Sequence, residues 1–233
     1  MEHARARARG GDGEQARLLI SSRNYSSWSL RGFLLARMAG LDFAVERVDL
    51  DDPAARAELL LQASSIRIPC LFHDGLRIWD TMAIAEHLNE IRPEAGMLPA
   101  DREARARCRS ISGEMHSGFH ALRASLPMNL RAHRPGFRVW SGPRADIDRI
   151  LFIWERCLGR WGGPWLFGER PCVADAMYAP VVTRFLTYDV KLIGGCAAYA
   201  QRVMEWAPMA EWVAAAQEEP EPPIHELEVE AEF

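Results

Sequence analysis

RIPCLFHDGLRIWDTMAIAEHL, residues 67–88, decides the fold. It opens on Ile68-Pro69, and proline is the residue at which a cis peptide bond costs little. Residues 69–73 are apolar and strand-like. Asp74-Gly75 is a strong two-residue turn signal, and residues 76–79 return as the partner strand. Asp80-Thr81 then caps a helix that runs through Ile91, where Pro93 ends it. A hairpin followed directly by a capped helix reads as the closing half of a larger α/β unit.

The opening half lies upstream. RLLISS, residues 17–22, is a short apolar run that reads as a buried strand. Asn24-Tyr25-Ser26 is loop-like. From Ser27 the positions Leu30, Phe33, Leu34, Ala36, Arg37 and Met38 recur at helical spacing, and Gly40 supplies a stop. AVERVDL, residues 44–50, alternates like a strand. Residues 53–63 predict a helix with Pro53 in its first turn. The order β-α-β-α-β-β-α is that of a thioredoxin-like α/β domain over residues 17–95. Downstream, residues 101–125, 144–161, 172–187 and 196–216 carry helical patterns without a convincing strand. The expectation is an all-helical C-terminal domain over residues 101–216. Residues 1–16 read as a flexible N-terminal extension. Residues 217–233, acidic and broken by proline, read as a solvated tail.

Composition narrows the class. The 233 residues are 48% hydrophobic and 26% charged, which is ordinary for a soluble globular chain. No apolar stretch approaches the roughly 20 residues that span a bilayer. The basic start is not followed by a signal-peptide core, so a cytoplasmic location is expected. Once residues 1–16 and the acidic tail are set aside, 25 basic residues face 22 acidic ones, so no nucleic-acid surface is expected. The five cysteines are scattered without a CxxC and read as reduced thiols. Glu114, His116 and His120 share a helical stretch, but a third ligand of metal-binding type is not evident, and no metal site is expected.

Three features point to one ligand. A hydroxyl at a helix start, Ser26, can donate to a thiolate. A backbone edge fixed by a proline, Ile68-Pro69, can pair with a peptide like an added strand. An acid-hydroxyl pair opening a helix, Asp80-Thr81, can hold an amino-acid head group, the carboxylate at Thr81 and the ammonium at Asp80. Glutathione carries a thiol, a peptide middle and a free γ-glutamyl head, and it answers all three.

The same residues resemble the cytosolic glutathione transferases. SSWSLRGFLLARMAGL, residues 26–41, is similar to the first-helix motif of the serine-type classes, nearest to zeta-like members. Arg67-Ile68-Pro69-Cys70-Leu71 resembles the family's cis-proline motif. Asp80-Thr81-Met82-Ala83-Ile84 resembles its Glu-Ser motif. Phe167-Gly168 and Ala174-Asp175 resemble a family segment in the helical domain. Three departures stand out: Trp28 where zeta-like proteins usually have cysteine, Asp80-Thr81 for Glu-Ser, and Cys172 where a Ser or Thr cap is usual.

The resemblance implies a transferase that activates glutathione, its co-substrate, as thiolate and conjugates it to an apolar electrophile. Ser26 is the first catalytic candidate, with Ser27 and Tyr25 as rivals. Trp28, Arg67, Ile68, Pro69, Asp80 and Thr81 are the expected glutathione contacts. Met115, His116, Phe119, Leu122 and Arg123 are the expected second-substrate pocket. Asp175 is implied as a structural cap partner, and a homodimer is implied by analogy. Two alternatives stay open. One is a zeta-like cis-trans isomerase of the maleylacetoacetate type; the other is a transferase-like binding or regulatory protein without turnover. A thiol reductase fits poorly, because no cysteine lies between Ser21 and Arg31.

Overall fold

A computed structural model of the chain describes residues 15–49, 52–63, 65 and 67–220. Four strands form one sheet: β1 (Ala16–Ile20), β2 (Phe43–Arg47), β3 (Cys70–His73) and β4 (Leu76–Trp79). Their order is β2-β1-β3-β4. β1 runs parallel to β2 and antiparallel to β3, with Leu18 opposite both Val45 and Leu71. A parallel pair needs a crossover, and α1 (Ser27–Met38) provides it. α2 (Pro53–Ala63) follows β2, and α3 (Thr81–Ile91) follows the hairpin. The thioredoxin-like half is thus as the sequence predicts, with β2 shorter than the alternation of residues 44–50 suggested.

The second half is helical: α4 (Arg102–Ser117), α5 (His120–Ser125), α6 (Ser141–Trp161), α7 (Val173–Thr187), α8 (Gly194–Met204) and α9 (Ala207–Glu218). Two expected helices are each split. Residues 101–125 break where Phe119 takes a left-handed φ of 60° after Gly118. A Cβ on Gly118 would lie 2.7 Å from the Glu114 carbonyl, so only glycine fits this exit. Residues 196–216 break ahead of Pro208, which cannot continue a preceding helix. α7 is buried almost end to end and forms the centre of this half. Asp175 in its first turn is fully buried and accepts from the backbone N–H groups of Cys172 at 2.8 Å and Leu166 at 3.2 Å. Burial pushes its carboxyl up, against the pull of those two donors.

α1 joins the halves. It packs on β1 and α3 on one side and on α7 and α9 on the other. Residues 29–36 along it are all buried. Its C-terminus closes with Gly40 at φ +66°, Leu41 N–H donating to Ala36 O and Gly40 N–H to Arg37 O, a Schellman ending. Two expectations about the surface fail. Trp140, whose apolar side chain and place among the helical patterns predict burial, is 55% exposed, and Glu219, read as part of a solvated tail, is buried at 7%. Residues 1–14 and 221–233, which hold most of the two expected extensions, lie outside the described residues. Among the described residues no helix is long and apolar enough to cross a membrane.

Glycine at position 32 is what lets α1 approach the Ile68-Pro69 corner. A Cβ there would meet Pro69 Cγ at 2.7 Å and Cβ at 2.8 Å, against a ring that cannot swing away. Gly113 on α4 has nothing within 4 Å of the same added atom. Gly32→Ala is therefore expected to cost about 1–3 kcal/mol by overpacking. Gly113→Ala is expected to gain up to about 1 kcal/mol of helix propensity. Thermal unfolding of the two variants checks this; equal shifts of the same sign would contradict the close approach.

Candidate active site

Ser26 is the N-cap of α1. Its backbone is extended, and its Oγ accepts from Ser29 N–H at 3.2 Å. The oxygen is thereby fixed while its own proton is left to donate. Ser27 opens the helix, and its Oγ accepts from Arg31 Nη1 at 3.3 Å, one turn along. Both serines are buried, Ser26 at 2% and Ser27 at 1% exposed. The two rivals are thus told apart by neighbours: one hydroxyl sits on the helix end, the other against a guanidinium. Tyr25 is buried at the edge of the core, its backbone N–H donating to Ser22 Oγ.

That guanidinium belongs to a residue that local sequence does not mark as functional. Arg31 is completely buried, and its Nε donates to the carbonyl of Met177 on α7 at 2.8 Å. It lies over the Trp28 ring, 4.6 Å from the centroid, and Arg123 lies 4.7 Å from the same centroid. His116 meets Trp28 edge-on at 5.1 Å. Trp28, the departure from the zeta-like motif, therefore serves as a platform for two cations and an imidazole from both halves of the protein. The only sequence signal for Arg31 is a charge set among the apolar residues of α1.

At the other side of the site the Ile68-Pro69 bond is cis, as its sequence predicts, and Ile68 is 2% exposed. Arg67 beside it is exposed. Asp80 caps α3 with an unusual φ of 76°, and its Oδ1 accepts from Met82 N–H at 2.8 Å. Its Oδ2 meets His116 Nε2 of α4 at 2.7 Å, and this bond holds the carboxyl below the usual carboxylate range. The Thr81 hydroxyl is buried and, among the described residues, has no hydrogen-bond partner. An orphaned buried hydroxyl costs about 1–3 kcal/mol, and a non-glycine residue at positive φ costs a similar amount. The two costs fall on adjacent residues at the start of α3.

The expected second-substrate pocket divides in two. Met115 and Leu122 are 0% exposed and Phe119 is 7% exposed, and all three belong to the main core. Their helical spacing marks packing, and they form no open pocket wall. His116 and Arg123, by contrast, reach Trp28. Arg123 wraps the end of α4, donating to the carbonyls of Gly118 and Met115. His120 is exposed, and Glu114 pairs with Arg149 on α6 at 2.7 Å. Among the described residues no group of three or more His, Cys, Asp or Glu is placed to hold a metal ion. The five cysteines are buried; burial pushes the Cys70 thiol, next to Pro69, up to about 11, which suppresses thiolate chemistry of its own.

The pair between Asp80 and His116 has a pH signature. A carboxyl whose folded pKa is depressed contributes stability above its unfolded value, near 3.9, and loses it as pH falls through the folded value. Asp80→Asn should therefore melt below the parent at about pH 6, with the gap closing below about pH 4. A gap that stays constant with pH would mean that the cap alone, not the charge, is lost.

Residues 25–91 match the glutathione S-transferase N-terminal domain family, and residues 143–215 match the glutathione S-transferase C-terminal domain family. A maleylacetoacetate isomerase from Rhizobium meliloti is 30% identical over 174 residues, 72% of this chain and 81% of that protein. The solved structure of a maleylacetoacetate isomerase from Anaeromyxobacter dehalogenans, with bound dicarboxyethyl glutathione and citrate in the active site, is 26% identical. It aligns with a TM-score of 0.63 over 90% of this chain and 95% of that one. A glutathione transferase homolog from Burkholderia with bound glutathione, 23% identical, shares the fold at a TM-score of 0.67 over 89% of this chain and all of that one. The cap at Ser26, the cis bond before Pro69 and the Asp80-Thr81 helix start lie within the first matched region, and this chain belongs to the glutathione S-transferase family.

Proposed function

We propose that the protein binds glutathione along the line from Ser26 through Ile68-Pro69 to Asp80-Thr81, activates its thiol, and transfers it to an electrophilic carbon. The observation that carries this reading is the helix start at Asp80-Thr81. A buried hydroxyl without a partner among the described residues and an acid at φ 76° suit an amino-acid head group, carboxylate to Thr81 and ammonium to Asp80. His116 then shares the Asp80 carboxylate with the incoming ammonium.

The thiol end needs energy. A thiol of pKa near 8.5 is mostly protonated at neutral pH, and burial raises the value further. Lowering it by about two units requires roughly 2.7 kcal/mol in favour of the thiolate. The Ser26 hydroxyl supplies a hydrogen bond in a site sheltered from water, and the N-terminus of α1 adds its dipole. Arg31, 3.3 Å from Ser27 Oγ, adds a fixed positive charge one turn away. Cys70, the cysteine beside Pro69, is buried with its thiol raised by that burial and offers no competing nucleophile.

The acceptor side is cationic and aromatic: Trp28, Arg123 and His116. This favours a polarised or anionic electrophile. It also favours a second reading, cis-trans isomerisation through the same glutathione site, which is the activity named for the Rhizobium relative. Both readings share the thiolate step and differ in whether the sulfur stays on the product. We place the enzyme in the cytoplasm as a two-fold dimer, by analogy with its family.

Ser26→Ala is expected to raise the pKa of bound glutathione and lower kcat while sparing most affinity, and Ser27→Ala to do less. Thr81→Ala is expected to raise the glutathione KM more than it lowers kcat. Ultraviolet titration of bound thiolate and calorimetry check the pair. An unchanged thiol pKa in the Ser26 variant removes that residue from the role. Parallel assays with a panel of electrophiles and with maleylacetone separate conjugation from isomerisation.

A further inference from the structure

Glu219 breaks two rules at once. It sits at the C-terminal end of α9, where the helix dipole disfavours an acid. It is also 7% exposed, although carboxylates are rarely buried unless fully paired. Its partners explain the placement. The carboxylate accepts from Ser22 Oγ at 2.8 Å and from the backbone N–H of Arg23 at 2.9 Å and of Asn24 at 3.1 Å, with Arg47 Nη1 at 3.5 Å. Ser22, Arg23 and Asn24 form the turn that leads into Ser26, whose own N–H donates to Ser22 O at 3.2 Å. Tyr25 N–H donates to the same Ser22 hydroxyl that Glu219 holds, at 3.2 Å.

The helical half grips this turn at further points. Trp212 Nε1 on α9 donates to Arg23 O at 2.9 Å. Arg131 donates from its side chain to the carbonyls of Ala216 and Glu219, and from its backbone to Asn24 Oδ1 at 3.2 Å. The end of α9 is thus tied to the turn ahead of Ser26 by one carboxylate, one indole and one arginine.

We infer that Glu219 is a positioning residue for the thiol-activating hydroxyl: its carboxylate, seated on the backbone donors of residues 23 and 24, sets the turn that aims Ser26. The inference rests on the glutathione reading above. A charge-assisted bond to each donor fixes the turn more tightly than neutral acceptors do. Reactive geometry is sensitive to small shifts: a displacement of about 1 Å costs up to roughly 100-fold in rate.

The test uses the full chain with glutathione and a generic electrophile, comparing Glu219→Gln, Glu219→Ala and the exposed neighbour Glu218→Gln. The expected result is a kcat lowered about 10- to 100-fold in Glu219→Ala. The pKa of bound glutathione should rise with it, and the glutathione KM should move less, because the head-group clamp lies elsewhere. Glu219→Gln, which keeps the shape and one acceptor, should fall between, and Glu218→Gln should match the parent. A merely structural role would lower the melting temperature and leave the thiol pKa in place. If Glu219→Ala does not fold, the Gln variant carries the measurement. A bound thiol pKa equal to the parent's in Glu219→Gln and in any folded Ala variant overturns the inference alone. A parent that binds no glutathione overturns the functional reading, and this inference with it.

Discussion

Everything in this protein depends on the burial of α1 on all sides. A helix at the edge of a domain shows one polar stripe to water, whereas this one shows almost none. Its crowding is resolved by two substitutions for ordinary residues. Gly32 removes a side chain so that the Pro69 ring can sit against the backbone. Arg31 carries a charge into the seam, where the Met177 carbonyl, the Ser27 hydroxyl and the Trp28 face receive it. Burying a cation is costly, and the Met177 carbonyl meets the Arg31 Nε, so sliding the helical half on α1 would remove that acceptor from a buried charge. The position of Ser26 at the head of α1 is thereby set by both halves together.

The site inherits this shared origin. Ser26, Ile68, Asp80 and Thr81 come from the thioredoxin-like half, while His116 and Arg123 come from the helices. The two groups meet at Trp28 and at the Asp80 carboxylate. On the proposed reading, the rigid part of the site, where backbone is fixed by caps, takes glutathione, and the side-chain part, built of long arginine and histidine groups, faces the second substrate. Among the proteins this chain resembles, one fold accompanies both transferase and isomerase names.

What could be read from sequence was what local chemistry enforces. Asp74-Gly75 permits one kind of turn, a proline after Ile68 permits a cis bond, and Asp80 and Ser26 cap the helices they precede. These features are settled within a few residues of chain, and they located the hairpin, the helix starts and the core of the candidate site. What escaped was settled by distant partners. The break at Gly118 depends on the Glu114 carbonyl and on how α5 meets α6. Met115 and Leu122 looked like a pocket stripe because core and pocket share one periodicity. Trp140 had an aromatic side chain but no element to cover it, and Glu219 looked solvated because its neighbours in sequence are acidic. Arg31 stands in the most informative motif, but nothing local marks its role, since its Met177 partner lies 146 residues away.

The link from Glu219 to Ser22 spans 197 residues, nearly the whole chain. A ribosome delivers the chain from its N-terminus, and domains take shape in that order. The sheet, α1 and the hairpin are all available for folding while α9 is still unmade. The turn ahead of Ser26 waits for α9 to supply its carboxylate and its indole. Contacts of such long sequence separation form late, because closing the loop costs entropy before it is rewarded. A chain cut ahead of α9 would thus keep the sheet, α1 and the hairpin and lack the contacts that tie the turn ahead of Ser26.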